Sequence, residues 1–360
     1  MSNPDKLSAV HVPTIKFDCH TNEIDEIALY DRQIRLWGTE TQLRLRSARL
    51  LVIRLGGIGT ETVKNLVLGG INSIEILDDS LVKEEDFATQ FFLPNDDSII
   101  GQPKLPHVIS SIKELNTRVH LSTNNTSLRA TGTDYFKNFD LVIATELDKS
   151  ELLYVNEITR NLNVPLYVAG SHGMFGYILT DLIKHESVKD YDKGNQAREA
   201  NTAINGVKTI TNVEYIEKED KERVTIVDQY VPLAEIFTSS KLTLQLNRRQ
   251  LKRLSGALPL ILSLFEIPRP SDVNEQIDEQ QLLEVSKKVC ERYSLPETII
   301  TEEYLKAFSS QAYTEFSPSV AILGGILAQD VIQYFGKKDS PINNCLVFDA
   351  PRSELPIYYL

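Results

Sequence analysis

With 360 residues, 42% of them hydrophobic, the chain can bury one large core or two moderate ones. A net charge of −12 argues against nucleic-acid binding through the overall field, and no apolar run is read as approaching the ~18 residues of a membrane span. The opening residues show no basic-then-apolar secretion signal, and Cys19, Cys290 and Cys345 form no C-x-x-C pair. A reducing compartment is expected, without a disulfide framework or a zinc site.

Residues 1–22 are polar with little periodicity and read as a flexible tail. A helix is expected from Asn22, with Asp25 and Glu26 in its first turn, through Trp37; Ile24, Ile27, Ile34 and Leu36 supply its apolar positions. RLLVI (49–53) reads as a buried strand, Gly56, Gly57 and Gly59 as a turn, and 60–68 as a helix stopped by Gly69 and Gly70. A strand at 73–78, a helix at 104–115, a short strand near Val119, an apolar strand at 139–145, a helix at 149–162 and a strand at 165–170 follow. Strands alternating with helices predict an α/β fold, a doubly wound, mostly parallel, Rossmann-like sheet.

Near Glu186 the alternation stops. Residues 189–203 read as a polar loop, ITNVEYI and RVTIVDQYV as strands, and 240–267, 279–294 and 302–308 as helices. Residues 186–315 are therefore expected to form an inserted mixed α+β region. An apolar helix (317–335) bearing Gly324 and Gly325 follows, to be buried in the core or at a subunit interface. With the strand at 345–350 and a short terminal strand, it returns the chain to the first domain. That domain then comprises 23–185 and 316–360.

A strand, a glycine turn and a helix form the element that cradles phosphates, because backbone N–H groups and the positive helix end face the anion. Gly56 and Gly59 match the second and third glycines of the G-x-G-x-x-G pattern, but Arg54 stands where the first belongs. Asp78, about 20 residues further on, falls where an acidic ribose ligand is expected. The same glycines serve equally to pack the helix on the strand. The fold follows either way, and a working nucleotide site does not.

Five blocks in order resemble the activating-enzyme family that includes MoeB and ThiF. They are YDRQIRLWG (30–38); LGGIGTETVKNLVLGGI with ILDDSLVKEEDFATQFFL (55–93); LVIATELDKSELLYVN (141–156); PLYVAGSHGMFGYILTDL (165–182); and FSPSVAILGGILAQDVIQ with NNCLVFDA (316–350). Within that family the chain is similar to the smaller, Cys-less subunits of SUMO-activating heterodimers. The family pattern has D-x-D after the second strand, then N-x-x-R-Q, then a Lys. Here Ser80 replaces the second Asp, and Asp86 and Thr89 replace Asn and Arg, with only Gln90 kept. Lys104 matches the family Lys, and Asp148 matches the Asp that helps hold magnesium and ATP. The resemblance thus implies a degenerate remnant pocket of Gly56, Gly59, Asp78, Lys104 and Asp148. Loss of a cationic donor at 89 and gain of a carboxylate at 86 disfavour a site where negative charge builds on phosphates.

The thioester step of such enzymes needs an accessible cysteine of lowered pKa. Cys290 falls on an amphipathic helix, Cys345 opens a core strand and Cys19 lies in the tail, so no catalytic Cys is assigned, and no metal site. His172 reads as a turn residue, and the basic run 247–253 as a solvated helix face. For Arg32 the residues alone suggest pairing with Asp31 or Glu26; the resemblance implies that it reaches in trans to ATP bound by the partner subunit. The resemblance further implies ATP and magnesium held mainly by a Cys-bearing larger subunit, SUMO as the modifier, a heterodimer and a nuclear location, with neither nucleic acid nor membrane as partner. Alternatives are a subunit of the Rub-type modifier activator, an autonomous MoeB/ThiF-like adenylyltransferase, an NAD-dependent oxidoreductase and a scaffold without nucleotide contact.

Overall fold

The computed structural model describes residues 28–238, 240, 242, 246, 254–270 and 275–360. The tail 1–22, Asn22, Cys19, Glu26 and the basic run 247–253 lie outside the described residues. Two short helices open the rest, α1 (Asp31–Trp37) and α2 (Thr39–Leu45). Gly38, at φ 90°, ends the first, so the single helix expected through Trp37 is followed by a second that its pattern did not announce. Leu36, read as an apolar contact, is 81% exposed, and α1 buries none of its residues. The segment is anchored at its ends instead. The Tyr30 hydroxyl accepts a 2.7 Å bond from Asn116 Nδ2, and Lys338 Nζ donates to the Trp37 carbonyl at 2.8 Å.

The sheet is built from apolar runs. β1 (Arg49–Ile53), α3 (Gly57–Leu68), β2 (Ser73–Leu77), α4 (Leu105–Leu115), β3 (His120–Asn124), β4 (Leu141–Thr145), α5 (Lys149–Asn161) and β5 (Leu166–His172) alternate along the chain. The five strands pair in parallel in the order β3–β2–β1–β4–β5. Leu50 and Val52 face one side and Leu51 and Ile53 the other, and all four are buried. Helices therefore cover both faces, which is why these strands read as unbroken apolar runs.

β6 (Phe175–Asp181) turns back antiparallel on β5 through Gly173, at φ 62°. The strand expected before it ended at Gly170, and no strand was expected over these residues. β7 (Lys184–Asp192), the two-residue β8 (Thr202–Ala203), β9 (Lys208–Ile216) and β10 (Lys221–Gln229) form a second, antiparallel sheet in the order β7–β10–β9–β8. The loop expected over 189–203 is thus strand as far as Asp192 and again at Thr202–Ala203. Its alternation was hidden because β7 buries only His185 and Ser187 among polar neighbours.

Three helices follow: α6 (Ala257–Leu264), α7 (Glu279–Arg292) and α8 (Glu302–Gln311). Their apolar residues join Leu51, Ile53 and α5 in one core and close the second face of the main sheet. On the first face, α9 (Ser317–Gly336) lies against α3 in a core with Leu50, Val52 and α4. A Cβ on Gly324 would overlap the Glu61 side chain and stand 3.1 Å from the Ile58 carbonyl, whereas one on Gly325 would meet nothing within 4 Å. Only glycine permits the helices to approach at 324. α9 is, by length and composition, apolar enough to cross a bilayer, so the reading that no run approached that length understated it. Half of its apolar window is buried against the protein. β11 (Cys345–Asp349) and β12 (Ile357–Tyr358) extend the main sheet antiparallel beyond β6.

Candidate functional site

Strand order reverses between β1 and β4, and a crevice at their carboxyl ends is where open α/β sheets take ligands. Arg54 leaves β1 at φ 63°, backbone that glycine adopts freely and other residues adopt at a cost of about 1–3 kcal/mol. Arg54 thus takes up left-handed backbone of the kind glycine favours. Arg54 is held on every side. Its N–H donates to the Leu77 carbonyl at 2.9 Å, and its carbonyl accepts from Thr145 Oγ1 at 2.9 Å. The guanidinium donates to the Glu146 carbonyl at 2.8 Å and pairs with the Glu151 carboxylate. A Cβ on Gly59 would stand 3.0 Å from the Arg54 carbonyl, so Gly59 serves close packing of helix on strand.

The first N–H groups of a helix have no partner within it and carry its positive end. At α3 that position is filled by the chain itself. The Gly57 N–H donates to Glu315 Oε1 at 2.6 Å, and the Thr89 hydroxyl donates to the other oxygen of the same carboxylate. Cβ atoms on Gly56 and Gly57 would stand 2.7 and 2.8 Å from those oxygens. Glu146, at φ 55°, brings a second carboxylate, which accepts from the Ser171 N–H at 3.0 Å. Burial and then the charge of Glu315 push its carboxyl up to about 7, against the opposing pull of Arg269, the Ser171 N–H and Arg54.

The remaining expected residues are spent on internal bonds. Asp78 accepts from the N–H groups of Leu55 at 2.8 Å and Ser80 at 2.9 Å. Lys104 is buried and pairs at 3.2 Å with Asp86, which also accepts from Gln90 Nε2 at 2.6 Å and the Lys83 N–H at 2.9 Å. The carboxylate gained at 86 thus neutralises the retained lysine. Asp148 caps α5, accepting from the Glu151 N–H at 2.8 Å. Burial raises its pKa, but this N–H, the Ser150 hydroxyl and N–H and the Arg54 charge together hold it below the usual range. A cavity of about 180 Å³ remains beside the turn, lined by Arg54, Asp79, Thr126, Arg129 and Glu151. Small-molecule pockets usually span about 300–1,000 Å³. A larger one of about 370 Å³ lies elsewhere, against α9, and none of the site residues lines it.

Gly56, Gly59 and Asp78 therefore meet at one turn, with Asp148 and Lys104 on its flanks, while Arg32 is far from it. Tyr30 packs on Gly70, beyond the far end of α3, and the 12 residues of that helix span about 18 Å. Arg32 is exposed, and among the described residues it has no ion pair or hydrogen-bond partner; Asp31 pairs with Arg35 instead. Sequence reasoning missed Glu146, Glu151 and Glu315. Of these, only Glu151 had a local signal, the D-x-x-E capping box from Asp148.

His172 is no turn residue. It ends β5, is buried, and accepts the Tyr313 N–H on Nδ1 at 3.0 Å; burial and then Arg269 push the imidazole down to about 3. Cys290 is buried in α7, where burial and Glu297 push its thiol up to about 11, and burial pushes Cys345 higher still. Such thiols are not thiolates at neutral pH. Among the described residues, no group of three or more His, Cys, Asp or Glu could hold a metal ion.

A model of the ThiF family matches residues 30–358. The chain belongs to the ThiF family. It is 40% identical over 340 residues to DNA damage tolerance protein RHC31 of Saccharomyces cerevisiae, a match covering 93% of this chain and 96% of that protein. It is 33% identical to DNA damage tolerance protein rad31 of Schizosaccharomyces pombe, covering 95% and 99%. It is 31% identical to SUMO-activating enzyme subunit 1B-1 of Arabidopsis thaliana, covering 90% and 93%. Among solved structures, E. coli MccB, crystallised with MccA-N7isoASN, matches with a TM-score of 0.50 at 12% identity, over 95% of this chain and 74% of that one, a likeness of fold alone.

Family membership brings the expectation of ATP-dependent adenylation. The turn of this ThiF-family chain does not fit a nucleoside triphosphate. Its helix end is held by a carboxylate, its lysine is neutralised, and the space beside it is small.

Proposed function

We propose that this chain is the non-catalytic subunit of a heterodimeric SUMO-activating enzyme. The observation that carries this reading is the occupied phosphate position: Glu315 stands on the Gly57 N–H where a nucleotide phosphate would have to bind. Similarity over most of the chain to relatives named as SUMO-activating enzyme subunits supports the assignment of modifier and assembly. In this reading ATP and its magnesium are bound by the Cys-bearing larger subunit. The modifier's C-terminal carboxylate attacks the α-phosphate there and pyrophosphate leaves; the partner's cysteine thiolate then attacks the resulting acyl-adenylate, AMP leaves, and the modifier is held as a thioester.

This chain's contribution is Arg32. A guanidinium is permanently charged and multidentate toward phosphate, and one that has no ion pair or hydrogen-bond partner among the described residues can serve a second subunit. The surface around it supports docking. α1 buries nothing, and Leu29, Leu36 and Leu43 are 53%, 81% and 51% exposed. A nuclear location belongs to the same proposal and rests on the family resemblance alone.

Mixing the full chain with the Cys-bearing subunit, ATP, magnesium and SUMO should give a reducible thioester on the partner's cysteine and none on this chain. Non-reducing electrophoresis reads it directly. A thioester on Cys290 or Cys345 would overturn the assignment.

A further inference from the structure

We infer that Glu315 is a built-in anion that stands in for nucleotide phosphate and keeps this chain's own glycine turn closed. The inference deepens the non-catalytic reading and rests on it.

Three observations converge. First, the carboxylate makes the contacts that the strand–turn–helix element offers an anion, one oxygen on the Gly57 N–H and the other on the Thr89 hydroxyl. Second, Gly56 and Gly57 leave room for it in the way such glycines leave room for phosphate, since a Cβ on either would collide with its oxygens. Third, Glu315 comes from a distant part of the chain, 258 residues from Gly57, immediately before α9. It is no local cap of α3. Its placement depends on α9 docking along α3, so the turn closes when the two halves of the α/β domain come together.

The substituted positions fit one device. Thr89, where the family pattern has Arg, supplies a neutral donor short enough to admit the glutamate. Asp86, where the pattern has Asn, draws Lys104 into a buried pair. Arg54, in place of the first glycine, lays its guanidinium between Glu146 and Glu151. Among the described residues Glu315 alone accepts from the Gly57 N–H at the helix end, so it is the residue whose removal should reopen the anion position.

The test uses the full chain by itself, with Glu315→Ala and Glu315→Gln variants, and inorganic pyrophosphate as the probe. Thermal unfolding is followed as pyrophosphate is raised. Wild-type Tm should not move. The alanine variant should start lower and rise saturably with pyrophosphate, because a ligand bound only by the folded state stabilises it by mass action. The glutamine variant keeps the shape and a hydrogen bond but loses the charge, and should respond in the same direction with a smaller rise. If Glu315→Ala does not fold, Glu315→Gln carries the comparison with wild type. The same response in wild type and variants, including no response in any, would overturn the inference. Such a failure would remove the occupied phosphate position as support for the non-catalytic reading, but would not decide that reading, which adenylation by the chain alone tests separately.

Discussion

Arg32→Ala is expected to slow modifier-dependent adenylation by the assembled heterodimer by about 10²-fold or more, the range seen when one preorganised charge donor is removed from a transition state. Assembly should survive, because Arg32 makes no contact among the described residues that holds α1 in place; Tyr30, Trp37 and Lys338 do that. Arg32→Lys keeps the charge but loses the planar fork, and should recover only part of the rate. Pyrophosphate exchange by purified complexes checks the rate, and co-elution checks assembly. The pair of readouts separates a trans-acting guanidinium from a docking residue. If Arg32→Ala left exchange unchanged in an intact complex, the trans role would be lost.

Glu146→Gln is expected to flatten the dependence of stability on pH. Burial and the Glu315 charge raise the Glu146 carboxyl from 4.5 to about 7 in the folded chain. A raised carboxyl binds its proton more tightly folded than unfolded. Its contribution is therefore fully present below about pH 4.5 and lost as pH rises through about 7, with a difference on the order of 2–3 kcal/mol. The groups facing it are Glu315, Arg54, Arg269, the Ser171 N–H, Tyr177 and Tyr313. Burial holds Tyr177 well above its usual value and pushes Tyr313 up to about 12, and His172 titrates near 3, so none of these changes charge in this window. Wild-type Tm should fall by roughly 3 °C more than that of Glu146→Gln between pH 5 and pH 8. Parallel profiles for the two proteins would show that this carboxyl does not titrate there.

How much of this was legible in the sequence depended on where each signal lay. β1 ends where RLLVI ends because both faces of the strand are buried and the run needs no partner to be seen. β6 was missed because it follows β5 across a turn of two residues, and the expected strand had already been ended at Gly170 with no element read after it. The helix end at Trp37 was legible, but the helix Thr39–Leu45 beyond Gly38 was not, because it buries only Thr41, Gln42 and Leu45 and shows little apolar pattern. At the site, the departures from the family pattern at 54, 80, 86 and 89 were visible, and they pointed to a weakened pocket.

What occupies that pocket was not visible. Glu315 meets Thr89 across 226 residues of sequence, and nothing local marks a glutamate before α9 as the partner of a helix end. Arg54 could be seen as a missing glycine but not as a strut, because its role depends on Glu146 and Glu151 arriving from the other side of the switch point. Residues that lose a function are legible one by one in a sequence, whereas the contacts that replace it are properties of the assembled fold.

The most direct test of the central claim is modifier-dependent ATP–pyrophosphate exchange by the purified chain alone and by the chain mixed with a Cys-bearing SUMO-activating partner. Exchange in the mixture and none by the chain alone is the predicted result, and it would establish that this subunit supports adenylation without performing it. Exchange by the chain alone would mean that the turn closed by Glu315 opens to ATP and works, and the account of this protein as a non-catalytic subunit would be wrong.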